Sequence, residues 1–530
     1  MNLIFDQWIP IHSESGCEER IAPWQVTEPD DPIIALVAPR PDFNGALMQF
    51  LIGLLQTTAA PKNHDAWADW LEEPPAPEKL RAKFAPFGEA FELDGDGPCF
   101  MQDAEDLEGE AKPISALLIE APGAQALRQN TDHFIKRDVV EALCPACAAS
   151  ALFTLQTNAP AGGVGHRTSL RGGGPLTTLV VMDPEGSKLP ETLWRNLWLN
   201  VLDTQMLAGM SGSPAKTERS DIFPWLAPTR TSEPKKGRST TPEDTNPLYV
   251  YWAMPRRIRI DWKQRTEGVC DLCGNEGQSL VTRYVTRNYG TNYEGPWQHP
   301  LSPHYIDAKT GLPMSVHAQP GGLSYRHWLG WVQGSETVKP AKVVTMFRED
   351  TGRRLESEQF RVWAFGYDMD NMKARCWYEA TFPLFLIPDD QRRREFSIRV
   401  QTMVDAANQV AGFAQSSIKE AWFKRPRDAR GDTGFLKQAF FQKTESEFYR
   451  ALNPLLDAIA NDEDRNVLGA WHQVLRAAAM ELFDYWAARG EVAFADPRRI
   501  AAAHQKLRNL IHGKKLLASL KINLKKEEAA

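Results

Sequence analysis

No apolar run in this chain is long enough to span a bilayer; the longest, around Leu51–Leu55, ends after a few residues. The opening Met1-Asn2-Leu3-Ile4-Phe5-Asp6 carries an acid before any base, so no secretory signal is expected. Cysteine is scarce: seven residues in 530, an odd number, which disfavours a disulfide scaffold and points to a reducing cytoplasm. Catalytic signatures are missing. There is no His-Glu-x-x-His run, no Gly-x-Ser-x-Gly elbow and no protein-kinase set, so the expectation is a protein without catalytic residues. The eleven histidines are scattered, and His299 and His304 lie in a proline-rich loop with no adjacent pair of aspartates; they read as structural. No internal repeat is visible.

What cysteine there is has a pattern. Cys144-Pro145-Ala146-Cys147 and Cys270-Asp271-Leu272-Cys273 share one spacing, and random placement of so few cysteines gives on the order of 0.1 such pair. Four thiolates in two such halves suit a closed tetrahedral zinc site, Cys144, Cys147, Cys270 and Cys273, with zinc in a structural role. The gap from 148 to 269 is longer than a compact zinc ribbon allows, so a redox dithiol or a turn with buried thiols stays open as the other reading. Cys17, Cys99 and Cys376 are single and read as small packing residues.

Charge is divided unevenly. Residues 1–130 hold 23 acidic against eight basic side chains, a balance of −15, and with a whole-chain net charge of −7 the remainder carries +8. A nucleic acid partner would therefore meet only part of the surface. With 42% hydrophobic and 24% charged residues, the chain is long enough for two to four folded domains.

Along the chain, Asn44–Leu55 repeats apolar residues at helical spacing, and an acidic loop runs from Asp94 to Glu110. A helix over 138–156 is expected to carry the first cysteine pair. Residues 208–247, rich in Pro, Ser, Thr and Lys, read as a mobile loop, and 249–400 as mainly β with turns at its glycines. From about 391 four long amphipathic segments follow, roughly 393–424, 433–461, 464–489 and 497–524, which predicts a four-helix bundle. The last bears a basic face from Arg498 to Lys526. The expected class is α+β: a mixed α/β domain over 1–390 with the four-cysteine site inserted, then a bundle over 391–530.

Three segments suit nucleic acid. The loop Gly162-Gly163-Val164-Gly165 exposes backbone N–H groups beside Arg167 and Arg171 and is neither a Walker loop nor a dinucleotide fingerprint. Thr282–Tyr289 interleaves basic and aromatic residues after Arg256, Arg257, Arg259, Lys263 and Arg265. Gly366–Arg375 reads as strand, tight turn and strand, and a tip holding Asn371 and Met372 has the shape to wedge between base pairs. In each case an ordinary turn, strand or hairpin is the plainer reading.

Taken together the segments resemble the large subunit, CasA, of the type I-E CRISPR surveillance complex Cascade. The resemblance is carried by Asn2–Pro10, Arg40–Phe43 through Ala46, Glu141–Cys144, Leu170–Gly173, the second cysteine pair, Trp297–Pro300 with Ser302-Pro303, and Gly366–Arg375. It implies a subunit that recognises the short motif beside the target (the PAM) in double-stranded DNA, opens the duplex for guide-RNA pairing and helps recruit the effector nuclease-helicase. Guide RNA and the backbone and small Cascade subunits would be partners, and no membrane. By the same resemblance Gly162, Gly163, Val164 and Gly165, Arg287 or Asn288, and Asp370, Asn371 and Met372 would meet the DNA. His133, Phe134, Ile135 and Lys136 would form a loop that contacts guide RNA and neighbouring subunits. Val164 stands where relatives can have glycine, and Arg287 and Asn288 compete for a place often held by lysine. The alternative is a zinc-dependent nucleic-acid-processing enzyme, which needs a His or Glu beside an open metal position.

Overall fold

The long apolar helix of the N-terminal part is buried on every side rather than along one stripe. The protein is described by a computed structural model covering residues 1–122, 128, 139–210, 216–355, 358–370, 373–427, 431–461, 463–489 and 496–522. The first helix, α1 (Pro41–Thr58), begins with proline at its first turn and buries an unbroken run from Gly45 to Gln56. Phe50, on α1, packs edge-to-face against Trp8, Phe91, Phe100, Phe153 and Trp252 at ring separations of 5.3–6.0 Å. Truncating such a ring to alanine costs about 3–5 kcal/mol, so α1 anchors this core.

Antiparallel strand pairs belong to the same unit. β1 (Ile9–Ser13) pairs with β2 (Glu18–Ile21) on one side and β3 (Ile33–Leu36) on the other, with Pro10 opposite Arg20. Helix α2 (Pro145–Asn158) follows, then β4 (Thr177–Met182). β5 (Arg257–Ile260) and, after the hairpin β6 (Arg265–Val269) and β7 (Glu276–Val281), β8 (Arg283–Arg287) lie side by side, with Tyr284 opposite Ile260 and Arg287 opposite Arg257. β9 (Phe360–Asp370) pairs with β4 and with β10 (Lys373–Leu384), which carries the chain to the helical part.

Two compact units result. One is Met1–Ala318 with Thr337–Thr381; the other is Gln319–Glu336 with Phe382–Ala530. A single cut at 390 does not describe this division, because Gln319–Glu336 belongs with the helices. Within the second unit α3 (Asp390–Trp422), α4 (Gly434–Ala460), α5 (Asp464–Ala487) and α6 (Pro497–Ile511) form the expected four helices. The last segment is shorter than its periodicity predicts. α6 ends at Ile511, and Gly513 precedes a separate turn of helix, Lys514–Ser519. Its basic face is partly spent inside this unit: Lys506 pairs with Glu420 at 2.6 Å and Lys521 with Asp464 at 3.1 Å. Tyr325 is fully buried here, stacked on Phe448 at 4.3 Å, with its hydroxyl 2.8 Å from that of Thr444.

Residues 208–247 are not a free excursion in their described part. Phe223 and Trp225 are fully buried, and the indole of Trp225 donates to the Ala90 carbonyl at 2.6 Å. Two aromatic anchors outweigh a loop-like composition. The expected helix over 138–156 starts later, at Pro145. Among the described residues no helix is long and apolar enough to cross a membrane.

Candidate nucleic-acid interface and cysteine centre

The first cysteine pair is built by a helix start. Cys144 is the N-cap of α2, extended at φ −68° and ψ 159°, with Pro145 at the first helical position; its sulfur accepts the Cys147 N–H at 3.5 Å. The second pair is a tight turn between β6 and β7. Gly274 donates its N–H to the Cys270 carbonyl at 2.9 Å, at φ +72°, a left-handed position that suits glycine. Backbone bonds close the long gap between the halves. Leu143 and Val281 exchange both N–H groups at 3.0 and 2.9 Å. The Asp271 carboxylate accepts the N–H groups of Glu141 at 2.7 Å and Ala142 at 2.8 Å.

The four sulfurs of Cys144, Cys147, Cys270 and Cys273 consequently lie within 4.8 Å of one another, with Cys144 and Cys273 at 3.7 Å. A tetrahedron with metal–sulfur bonds of about 2.3 Å has an edge of about 3.8 Å, so the donor set fits a metal ion of that kind. Three of the cysteines are buried and Cys273 is partly covered. Hydrogen bonding to Cys144 and Cys270, together with burial, pushes the Cys147 thiol up, while hydrogen bonds from Cys144 and Cys147 draw Cys270 down. Clustered thiols in this state favour one thiolate at the expense of the rest, and a bound cation is what lets all four ionise. Arg20 of β2 donates to Cys273 Sγ at 3.2 Å, a cation placed beside sulfur that would carry negative charge.

The glycine loop and the end of β8 are brought together. Tyr289 donates its N–H to the Gly165 carbonyl at 2.7 Å, and a Cβ on Gly165 would sit 2.6 Å from that nitrogen and 3.1 Å from the Cβ of Asn288. Gly163 and Gly165 both take positive φ, +79° and +75°, and hold Val164 outward, 72% exposed. Arg287 and Asn288 are exposed beside this loop. Arg287 forms no ion pair among the described residues. Ser232 ties the assembly from behind: its hydroxyl donates to the Gly290 carbonyl at 2.8 Å and accepts from Arg167 Nε at 2.8 Å. His166, next to the loop, is held down at about 4 by burial and by the charges of Arg256 and Lys112, so it is neutral at pH 7.

The hairpin is present, rooted on the turn that follows the glycine loop. A Cβ on Gly174 would meet Met369 at 2.8 Å, and one on Gly366 would meet the Pro175 carbonyl at 2.8 Å. Across the hairpin Arg375 pairs with Asp368 at 2.6 Å and Asp370 at 3.6 Å, and Asp370 is exposed. Asn371 and Met372 lie outside the described residues, as do His133, Phe134, Ile135 and Lys136.

Other basic residues are buried or paired. Arg171 and Arg256 are buried. Arg257 is held at 2.5 Å by the fully buried Asp103, and Arg265 pairs with Asp94, so the acidic loop that biases residues 1–130 neutralises the arginines of β5 and β6. Sequence reasoning missed Arg20, Asp271 and Ser232. Asp271 sits inside a cysteine pair and was open to notice, whereas Arg20 and Ser232 depend on tertiary register.

Comparison with known proteins shows the family and the fold. The family of CRISPR-associated protein Cse1 matches residues 2–482. Thermobifida fusca Cse1 shares the fold at a TM-score of 0.71 and 16% identity, covering 98% of each chain. Thermus thermophilus CasA (Cse1) does so at 0.65 and 18%, covering 96% of this chain and 99% of its own. A chain of a structure titled as a CRISPR RNA-guided surveillance complex matches at 0.63 and 16%, covering 97% and 99%. The chain belongs to the CRISPR-associated Cse1 family, the CasA family that its sequence motifs resemble.

Proposed function

We propose that this chain is the large subunit of a type I-E RNA-guided surveillance complex, reading the PAM in duplex DNA and starting guide-RNA pairing without breaking bonds itself. The observation that carries the reading is the docking of the Gly162–Gly165 loop on Asn288 and Tyr289, with Arg287 exposed alongside and without an ion pair among the described residues. A backbone loop plus one polar or basic side chain suits minor-groove readout, where the base-pair code is degenerate and permissive. The hairpin that carries Asp370, Asn371 and Met372 would then unstack a base step at roughly a few kcal/mol, offset by guide pairing. Membership of the Cse1 family, and the likeness to a chain of an assembly titled as an RNA-guided surveillance complex, support the placing.

In this reading the four cysteines hold zinc as a structural ion that staples α2 to the β6–β7 hairpin. With four sulfur donors no ligand position is left for an activated water, which weighs against a zinc-dependent nucleic-acid enzyme. The loop around His133–Lys136 would meet guide RNA and neighbouring subunits, and the assembled particle would recruit the nuclease-helicase.

The test is reconstitution with guide RNA and the partner subunits. Duplex with a PAM should be bound and opened, seen as permanganate-reactive thymines, and duplex without it should not. Asn371→Ala with Met372→Ala should impair opening more than capture. An assembled particle that selects targets equally well without this chain would sink the reading, as would DNA cleavage by the purified chain alone.

A further inference from the structure

The ladder that fixes β9 stops short of its end. Its pairing with β4 runs from Phe360 opposite Met182 to Phe365 opposite Thr177, and residues 366–370 continue past it toward the hairpin tip. A backbone bridge from Asp368 to Ala318 and side-chain contacts take over there. Phe365, Tyr367 and Met369 alternate onto one face of the strand. Met369 and Tyr367 close on the turn after the glycine loop, where a Cβ on Gly174 would lie 2.8 and 2.9 Å from them.

The same face reaches α1. Tyr367 is buried and donates its hydroxyl to Asp42 Oδ2 at 2.7 Å. A Cβ on Gly45 would lie 2.7 Å from the Phe365 ring and 3.1 Å from that of Trp377 on β10. Positions 42 and 45 share a helix face, as 365 and 367 share a strand face, so the two elements meet along a line.

Asp42 is itself buried, and a buried carboxylate needs a counter-charge. Arg40, the N-cap of α1, supplies it in forked geometry, Nε to Oδ1 at 2.9 Å and Nη2 to Oδ2 at 3.1 Å. The same guanidinium forks onto Glu120 at 2.6 and 2.9 Å, which fixes its own position. The carboxylate is thus a fixed point, and the strand is tied to it through the Tyr367 hydroxyl.

We propose that Arg40, Asp42 and Tyr367 are positioning residues for the hairpin, fixing the direction in which the strand that carries Asp370 leaves the body. The inference rests on the reading of the hairpin as the element that unstacks a base step, since only then does its direction bear on opening. A captured duplex offers that step at one place, and an element with a slack root reaches it rarely. Capture by the glycine loop needs no such aim.

Tyr367→Phe removes one hydroxyl and leaves Asp42 paired with Arg40, so the fold should survive. In the purified chain, hydrogen exchange followed by mass spectrometry should speed up several-fold at the amides of 366–370 and 373–377 while α1 keeps its protection. Unchanged exchange in the hairpin overturns the proposal, with no DNA involved. In reconstituted particles the variant should bind PAM-bearing duplex as the parent does and open it about tenfold more slowly by permanganate reactivity, the effect of losing one hydrogen bond to a charged group. Asp42→Asn should act in the same direction but more weakly, because an amide oxygen accepts less strongly than a carboxylate. The double variant should be no worse than Tyr367→Phe alone, since both changes act through one bond; additive losses overturn that assignment. Capture and opening lost in parallel would mark a merely structural role and overturn it too. Parent particles that fail to tell PAM-bearing duplex from duplex without it would sink the DNA reading, and the exchange result would still decide the clamp.

Discussion

Tyr289 gives its backbone N–H to Gly165 at 2.7 Å while itself adopting φ +63°, a left-handed conformation that a tyrosine takes only under constraint. The end of β8 is thus bent onto the glycine loop, and the two segments expected to meet DNA are one surface.

Gly165 and Gly163 should therefore respond differently to alanine. Both pay the left-handed penalty, about 1 kcal/mol or somewhat more. At Gly165 the new Cβ also collides with Tyr289 N, whereas at Gly163 nothing lies within 4 Å. In assembled particles Gly165→Ala should weaken binding to PAM-bearing duplex by at least tenfold, and Gly163→Ala by much less. Equal losses in a filter-binding series would show that the collision does not matter.

Arg287 and Asn288 are separable by salt. If Arg287 meets a phosphate, Arg287→Ala lowers affinity for every duplex and reduces the slope of log affinity against log salt by about 0.9. Asn288→Ala should leave the slope unchanged and relax discrimination among PAM variants. The opposite assignment of slope and discrimination would exchange their roles.

The cysteine centre predicts one equivalent of zinc in the purified chain, with all four thiols protected from a thiol reagent until a strong chelator is added. Cys273→Ser should lose the metal and lower the melting midpoint by several degrees, since removing a structural metal costs a sizeable part of domain stability. Metal-free protein with two readily oxidised dithiols would favour redox chemistry instead.

His327 sets an acid limit on the helical unit. It stacks on Trp331 at 4.5 Å, accepts from Arg326 Nε at 3.0 Å, and is held down at about 3 by burial and by the Arg326 charge. Its folded pKa lies below the unfolded value near 6.5, so the unfolded chain binds the extra proton between about pH 6.5 and 3. Stability is full above that window and falls as pH drops through it. At pH 5 the loss from this one group is about 2 kcal/mol relative to pH 7. Unfolding free energies from urea titrations at the two pH values should converge in His327→Gln by roughly that amount; an unaltered difference would remove His327 as a cause.

The legible parts of this protein were those with a period or a spacing. The bundle helices announce themselves because apolar residues recur over many turns, and the cysteine pairs because chance rarely makes two. Residues 222–226 were misjudged for the opposite reason: proline, serine and lysine around them speak for a loop, while Phe223 and Trp225 are what fix the segment. Arg20 at the sulfurs was beyond reach, because its place depends on which residue of β1 it faces. The fate of the β5 arginines was also hidden. The partners of Arg257, Asp103 and Glu105, are more than 150 positions away, and only the tertiary structure shows that this charge cancels internally.

The assignment of Gln319–Glu336 to the helical unit has a consequence for how the chain can be made. Tyr325 leaves the ribosome before any of the long helices that will cover it, and its neighbour Phe448 follows more than a hundred residues later. The helical unit cannot begin to consolidate from its own N-terminal end, and an excised piece starting at 391 would carry an unfilled slot where that ring belongs. Expressing 391–530 alone should give a loosened, dye-binding bundle, and supplying 319–336 as a grafted leader should tighten it.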